Sequence, residues 1–214
     1  IQKSIESLGH RVLLFEATPE LTSLITSADI DIVFNIAEGI KGKNRESQVP
    51  AILELLDIEF TGSDAAALSI ALDKSLAKKI VSHAGILTPS FFLMKSPKDK
   101  IPPSIQFPLI LKPNTEGSSK GITTKNVVHN KEELINIAAE LIEKYKQAVL
   151  AEEFIEGREF TVGLLGEYRP KILPPMEIVF LGQDKNNVYS FEHKLSENDE
   201  IRYDHPAAIS DKLK

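Results

Sequence analysis

The stretch Phe107 to Gly121, FPLILKPNTEGSSKG, constrains the fold more than any other part of the chain. Phe107 to Leu111 is an apolar run of strand-compatible residues that delivers Lys112 and then Pro113, whose missing N–H cannot serve a central ladder. Lys112 is therefore expected at the end of a strand. Asn114 to Gly121 follows as a loop bracketed by Gly117 and Gly121 and carrying the hydroxyls of Ser118 and Ser119. Such a loop can aim backbone N–H groups and a lysine at one anion, and phosphate suits it because its charge is spread over several oxygens. The same spacing also fits a hairpin connector with a surface lysine. It is not the Walker pattern, in which Gly-Lys-Ser/Thr opens a helix.

The rest of the composition narrows the partners. With 214 residues, 42% hydrophobic and 26% charged, the chain reads as a soluble globular protein of one or two domains. A net charge of -6 argues against a general nucleic-acid or anionic-membrane binder and in favour of small-molecule partners. The absence of cysteine excludes disulfides and thiolate chemistry and is consistent with the cytoplasm. No signal peptide or membrane-spanning run is evident in the sequence.

Along the chain, Ile1 to Leu8 reads as helix closed by Gly9, Val12 to Phe15 as a strand, Leu21 to Ile25 as a short helix and Asp31 to Asn35 as a second buried strand. Strand, helix and strand in this rhythm predict a parallel sheet, with the loop Ala37 to Asn44 at a site edge. Glu38 in that loop is a solvated carboxylate on base rates and a substrate-side candidate by position. Helices are predicted over Arg45 to Leu56, from Ala65 behind a Ser63 or Asp64 cap, and over Lys74 to His83 behind Asp73. In the last of these, Leu76, Ala77, Ile80 and Val81 form the apolar face, and Lys74, Lys78 and Lys79 the polar one. Gly85 ends that helix, and Thr88-Pro89 opens a second domain.

In that second domain the pattern predicts strands at Phe91 to Met94, Ile122 to Val128 and Ala148 to Glu152, and a helix over Glu132 to Tyr145. Two strands linked through Glu156-Gly157 would leave the backbone of Glu153 to Ile155 as an exposed edge beside the aromatic Phe154. A purine ring fits such an edge, and so does a plain hairpin.

Taken together, the Lys112-Pro-x-x-x-Gly117-Ser-Ser-x-Gly121 loop, the Thr61-Gly62-Ser63 turn, Asp73-Lys74 and Gly157-x-Glu159-Phe160-Thr161-Val162 resemble the D-alanine-D-alanine ligase family of the ATP-grasp superfamily. The resemblance runs from the Phe34 strand to about Pro206. It implies an α/β chain, α+β in its central part, with a Rossmann-like parallel-sheet substrate domain over 1–72. An ATP-grasp central domain would cover 73–168 and the beginning of a C-terminal ATP-grasp domain 169–214. The activity implied is an ATP-dependent carboxylate–amine ligase that forms a dipeptide through an acyl phosphate. A ligase for another amino acid or peptide, or a non-catalytic nucleotide-binding module, is the alternative.

By the same resemblance, Lys74 and Lys112 touch the ATP phosphates, and Gly117, Ser118 and Ser119 close over them. Glu152 meets the adenine amino group, Glu153, Phe154 and Ile155 hold and stack the ring, and Glu159 takes the ribose hydroxyls. Lys112, Ser118 and Lys194 are the catalytic candidates, with Lys194 and Glu38 on the substrate side. Magnesium is implied as cofactor, with ligands expected beyond Lys214, so no metal ligand is assigned in the chain, which is expected to lack the family's first strand as well. ATP and amino acids are the implied partners, with a homodimer as candidate assembly. The sequence departs from the family at Glu38-Gly39 (family His-Gly), at Gly42-Lys43-Asn44-Arg45 (family Gly-Glu-Asp-Gly) and at Leu195 (family Tyr), all on the amino-acid side.

Overall fold

The computed structural model describes residues 1–166, 168–182, 188–190 and 200–213. The chain is mixed α/β, its sheets are antiparallel, and it divides into two compact units, Ile1–Ile80 and Val81–Lys214.

The first unit contains α1 (Gln2–Ser7), α2 (Leu21–Thr26), a 3-10 turn at Arg45–Ser47 running into α3 (Gln48–Leu55), and α4 (Ala65–Leu72). Helix α5 (Lys74–His83) starts there and ends in the second unit. Leu21 and Ile25 of α2 meet Val49 and Leu53 of α3, each pair spaced four residues apart on one helical face, and these four form the small core. Asp64 caps α4 by accepting from the Ala67 N–H at 2.6 Å, and Asp73 caps α5 by accepting from the Leu76 N–H at 3.0 Å. Gly85, at φ 80°, closes α5, with its N–H on Ser82 O and the Ile86 N–H on Val81 O.

Two of the expected strands do not form in this unit. Residues 12–15 run without a ladder, and Leu14 is 71% exposed. A strand exists only by pairing, and among the described residues nothing pairs with them. Of Asp31 to Asn35, Val33 alone is paired, in a parallel bridge to Phe60 made by Val33 N–H on Glu59 O and Thr61 N–H on Val33 O. The apolar face read on α5 is also more open than its spacing suggests, with Leu76 and Ile80 exposed.

The second unit is built on a four-stranded antiparallel sheet of β1 (Phe91–Met94), β2 (Leu109–Pro113), β3 (Val127–Val128) and β4 (Val149–Glu153), in the order β1-β4-β2-β3. Helix α6 (Lys131–Tyr145) covers one face. Because strand side chains alternate, Leu109 and Leu111 of β2 and Val149 and Ala151 of β4 point at α6, where Leu134, Ala138 and Leu141 meet them. Each fully buried leucine there contributes about 2 kcal/mol. Asn130 caps α6 by accepting from the Glu133 N–H at 3.0 Å. A three-stranded sheet of β5 (Glu159–Thr161), β8 (Met176–Phe180) and β9 (Ile201–Asp204) follows, in the order β5-β8-β9, with a separate pair β6 (Leu164–Leu165) and β7 (Lys171–Ile172). Arg158 grips Glu177 of β8 through two nitrogens and donates to Ala208 O.

Two expectations are corrected here. Residues 122–128 are not one strand: Thr124–Asn126 is a 3-10 turn, and the strand is reduced to Val127–Val128. The cause is Asn126, which is 4% exposed. Its Oδ1 accepts from Thr123 N–H and Oγ1, while its Nδ2 donates to Leu111 O at 2.8 Å and Gly121 O at 2.7 Å. A side chain that binds local backbone in this way competes with the ladder. Nor is Glu153 to Ile155 an open edge throughout: among the described residues of this segment only Ile155 keeps its N–H unpaired, and it is exposed. β4 lies between β1 and β2, so the Glu153 N–H is spent on Ser90 O and the Phe154 N–H on Pro108 O. The segments on either side of Glu156-Gly157 belong to different sheets.

Two outcomes are expected. Asn126→Ala strands the carbonyls of Leu111 and Gly121 and the N–H of Thr123, at roughly 1 kcal/mol each. Urea unfolding of the second unit should therefore lose about 3 kcal/mol, seen as a lower midpoint at unchanged slope. Separately, its hydrogen bond to Arg158 holds the Glu177 carboxyl below its ordinary value of 4.5. A depressed carboxylate stabilises the fold above the unfolded-state value, and that stabilisation is lost as pH falls through the folded-state value. Below about pH 4.5 the wild-type Tm should consequently fall more steeply than that of Glu177→Gln, and parallel curves would show that the pair is not linked to folding.

Candidate functional site

The face of the β1-β4-β2-β3 sheet turned away from α6 carries the chemistry. Alternation places Ile110 and Lys112 of β2 and Glu152 of β4 on that face, and the antiparallel register sets Ile110 against Glu152 and Lys112 against Leu150. Lys112 and Glu152 are therefore diagonal neighbours, and Lys112 Nζ lies 2.6 Å from Glu152 Oε1. Both side chains are mostly withdrawn from water, at 25% and 10% exposed, which strengthens each charge's hold on the other.

Above the pair lies a cleft of about 720 Å³ between this sheet face and residues of the β5-β8-β9 side. Its apolar part is formed by Ile110, Ile122, Phe154 and Val188, which cluster with the buried Val127. A carboxylate-rich rim follows, with Glu153, Glu156 and Glu159. Tyr189 lines the same wall and shares a 2.7 Å hydroxyl–hydroxyl bond with Tyr203. Burial, then that bond, push the Tyr189 phenol up to about 12, so it is a neutral hydroxyl at ordinary pH. Such a slot, apolar in the middle, acidic along one rim and cationic at Lys112, suits a flat base, a hydroxyl-bearing sugar and an anion in sequence.

At the cationic end stands the loop 114–121. Ser118 and Ser119 hold φ 49° and 59°, back to back in the left-handed region, where a non-glycine residue costs about 1–2 kcal/mol. Gly121, at φ 76°, cannot be replaced without a clash, since a Cβ would fall 2.8 Å from Pro113 and Tyr145. Two amides hold the ends: Asn126 on Gly121 O, and Gln147 on Thr115 and Glu116.

Of the residues singled out in the sequence, Lys112, Ser119, Glu152, Glu153, Phe154, Ile155 and Glu159 line this one cleft. Gly117 and Ser118 belong to the same loop without lining the cleft, and the Ile155 N–H has no protein partner among the described residues. Glu38 and Lys74 lie in the first unit, while Lys194 and Leu195 fall outside the described residues. Sequence reading missed Asn126, Gln147, Val188 and Tyr189. Ile110 could have been found, because it is two residues from Lys112 on a strand and so shares its face. Among the described residues no group of three His, Cys, Asp or Glu side chains could hold a metal ion, and no helix is long and apolar enough to cross a membrane.

Comparison with known proteins gives this geometry a family. Residues 80–214 match the family model for the D-ala D-ala ligase C-terminus. The chain is 36% identical over 197 residues to a D-alanine-D-alanine ligase of Aquifex aeolicus, covering 92% of this chain and 63% of that relative. It is 34% identical over 214 residues to one of Bordetella petrii, covering 99% and 62%. Among solved structures, the VanG D-Ala:D-Ser ligase from Enterococcus faecalis aligns with a TM-score of 0.68 at 27% identity, over 86% of this chain and 52% of that one. The chain thus spans less than two thirds of the length of the curated relatives it matches. With the family match extending over more than half of its residues, the chain belongs to the D-ala D-ala ligase C-terminus family.

Proposed function

We propose that this chain is the nucleotide-holding part of an ATP-dependent carboxylate–amine ligase, with D-alanine-D-alanine ligase of peptidoglycan precursor synthesis as the leading assignment. The observation that carries the reading is the cleft itself, in which Lys112, Ser119 of the phosphate loop and the 152–155 segment meet around an apolar slot of a nucleotide's proportions. In this reading residues 1–72 are a Rossmann-like substrate domain, 73–168 the central ATP-grasp domain and 169–214 the start of its C-terminal partner. The Val33–Phe60 bridge supports a parallel sheet in the first of these.

The base enters between Ile110, Val188 and Phe154, the Ile155 N–H donates to a ring nitrogen, and Glu152 accepts from the exocyclic amine. Glu159 accepts from the ribose hydroxyls. Lys112 neutralises the phosphates, and the N–H groups of Gly117 to Ser119 close over them. ATP then transfers its terminal phosphoryl group to an amino acid carboxylate, giving ADP and an acyl phosphate. The amine of a second amino acid attacks the acyl carbon, the C–O bond breaks, and inorganic phosphate leaves with its electron pair. No protein nucleophile is required, so the work of the residues is alignment, exclusion of water and charge neutralisation. Ser118 and Lys194 are the further candidates for steadying the moving group, and Glu38 for meeting the amino acid. Magnesium is the ion such chemistry uses, but the described residues contain no cluster that fits it, and no step here runs through one. The cytoplasm is the compartment that supplies both ATP and free amino acids.

Phosphate release by the full-length protein, measured over a panel of D- and L-amino acids, tests the reading. D-Alanine alone is expected to support turnover. Turnover only when D-serine is added to D-alanine would favour a D-Ala:D-Ser ligase, the activity named for the VanG neighbour. ATP binding without turnover on any amino acid would leave a nucleotide-binding module.

A second outcome concerns the two lysines. Lys112 is fixed by a strand and by Glu152, so its ammonium is pre-aimed. Lys112→Ala should remove about 3 kcal/mol of transition-state stabilisation, roughly a hundredfold in kcat/KM. It should also lower Tm, because Glu152 loses its counter-charge. Lys120→Ala, in mid-loop, should cost far less, and equal losses would mean that the loop contributes only diffuse positive charge.

A further inference from the structure

The strained pair Ser118 and Ser119 needs something to hold it, because consecutive left-handed residues persist only where surrounding structure over-determines them. On the side facing β2 that hold is made by Gln147. Its Oε1 accepts from the Thr115 N–H at 2.6 Å and from Thr115 Oγ1 at 2.7 Å, and its Nε2 donates to Glu116 Oε1 at 2.8 Å. One amide therefore occupies the two residues that immediately precede Gly117. Gln147 is itself well located, since Lys146 ends α6 at φ 52° and Val149 begins β4. The neighbouring backbone bond from Asn114 N–H to Ala148 O, at 3.0 Å, fixes the distance between the two segments.

We propose that Gln147 is a positioning residue for the phosphate loop. Acting through Thr115 and Glu116, and without touching the nucleotide, it sets the path of Gly117 to Lys120 before the polyphosphate arrives. The inference rests on the nucleotide-binding part of the reading above and not on the ligase chemistry. An amide is the side chain this position needs, because it accepts twice from Thr115 with one end and donates to a carboxylate with the other. Glutamate at 147 could still accept from Thr115 but would face Glu116 as a second carboxylate.

The test is the equilibrium Kd for ATP, by calorimetry with magnesium present, together with Tm, on the full-length protein. Gln147→Glu is expected to weaken ATP binding roughly tenfold with Tm nearly unchanged, because the position is half-exposed and the helix and strand beside it are intact. Gln147→Glu/Glu116→Gln, which restores a donor opposite the new carboxylate, is expected to return Kd to within about threefold of wild type. A merely structural role would lower Tm and the fraction of competent protein without moving Kd. Kd unchanged in Gln147→Glu, or weakened binding that the second substitution does not restore, overturns the proposal. Wild-type protein that binds ATP yet joins no amino acids removes the ligase reading and leaves this one standing. Wild-type protein that binds no ATP removes both.

Discussion

Everything in the second unit depends on one antiparallel pairing, that of Leu109–Pro113 with Val149–Glu153. A strand has two faces and a period of two, so fixing the register of this pair decides both the core and the site at once. Leu109, Leu111, Val149 and Ala151 are committed to α6, and Ile110, Lys112 and Glu152 are left for the opposite side. A slip of one residue would bury the lysine under a helix and turn leucines toward the cleft. The burial that holds the fold together is thus also what aims the charge.

The cleft shows a division of labour that follows from dielectric surroundings. Where the walls are apolar, around Ile110, Ile122 and Val188, a flat ring can displace water without losing hydrogen bonds. Toward Glu159 the rim is acidic, which favours hydroxyl and amine donors over phosphate. Toward Lys112 the wall carries an ammonium, held by the Glu152 carboxylate at 2.6 Å. In the nucleotide-binding reading proposed above, this asymmetry would set the direction in which the ligand lies.

Much of the local structure was legible in the sequence. Phe91 to Met94 is a strand with those bounds, and Asp64 and Asp73 cap the helices they precede, because aspartate before an apolar periodic run has few other uses. The Lys112 loop announced itself through glycine, proline and paired serines. What failed to show were the places where a distant partner decides. The alternating pattern of residues 122–128 looked like a strand until Asn126 used its side chain on Leu111 and Gly121. The stretch 12–15 has strand composition and no ladder. Gln147, some thirty residues from the loop it holds, sits in an unremarkable Lys-Gln-Ala turn, and Val188 reaches the cleft from outside the described strands. Pairings across such separations are properties of the closed structure, and no window along the chain contains them.

Both anchors of the loop reach main-chain atoms, Gln147 at Thr115 N and Asn126 at Leu111 O, Gly121 O and Thr123 N, while Gln147 also binds the Thr115 hydroxyl and the Glu116 carboxylate. The main-chain contacts measure chain length. Between Glu116 and Gly121, one residue added or removed would put both amides out of reach of their partners together. For drift in this protein, the loop is intolerant of indels, and its length is held as firmly as the glycine that closes it.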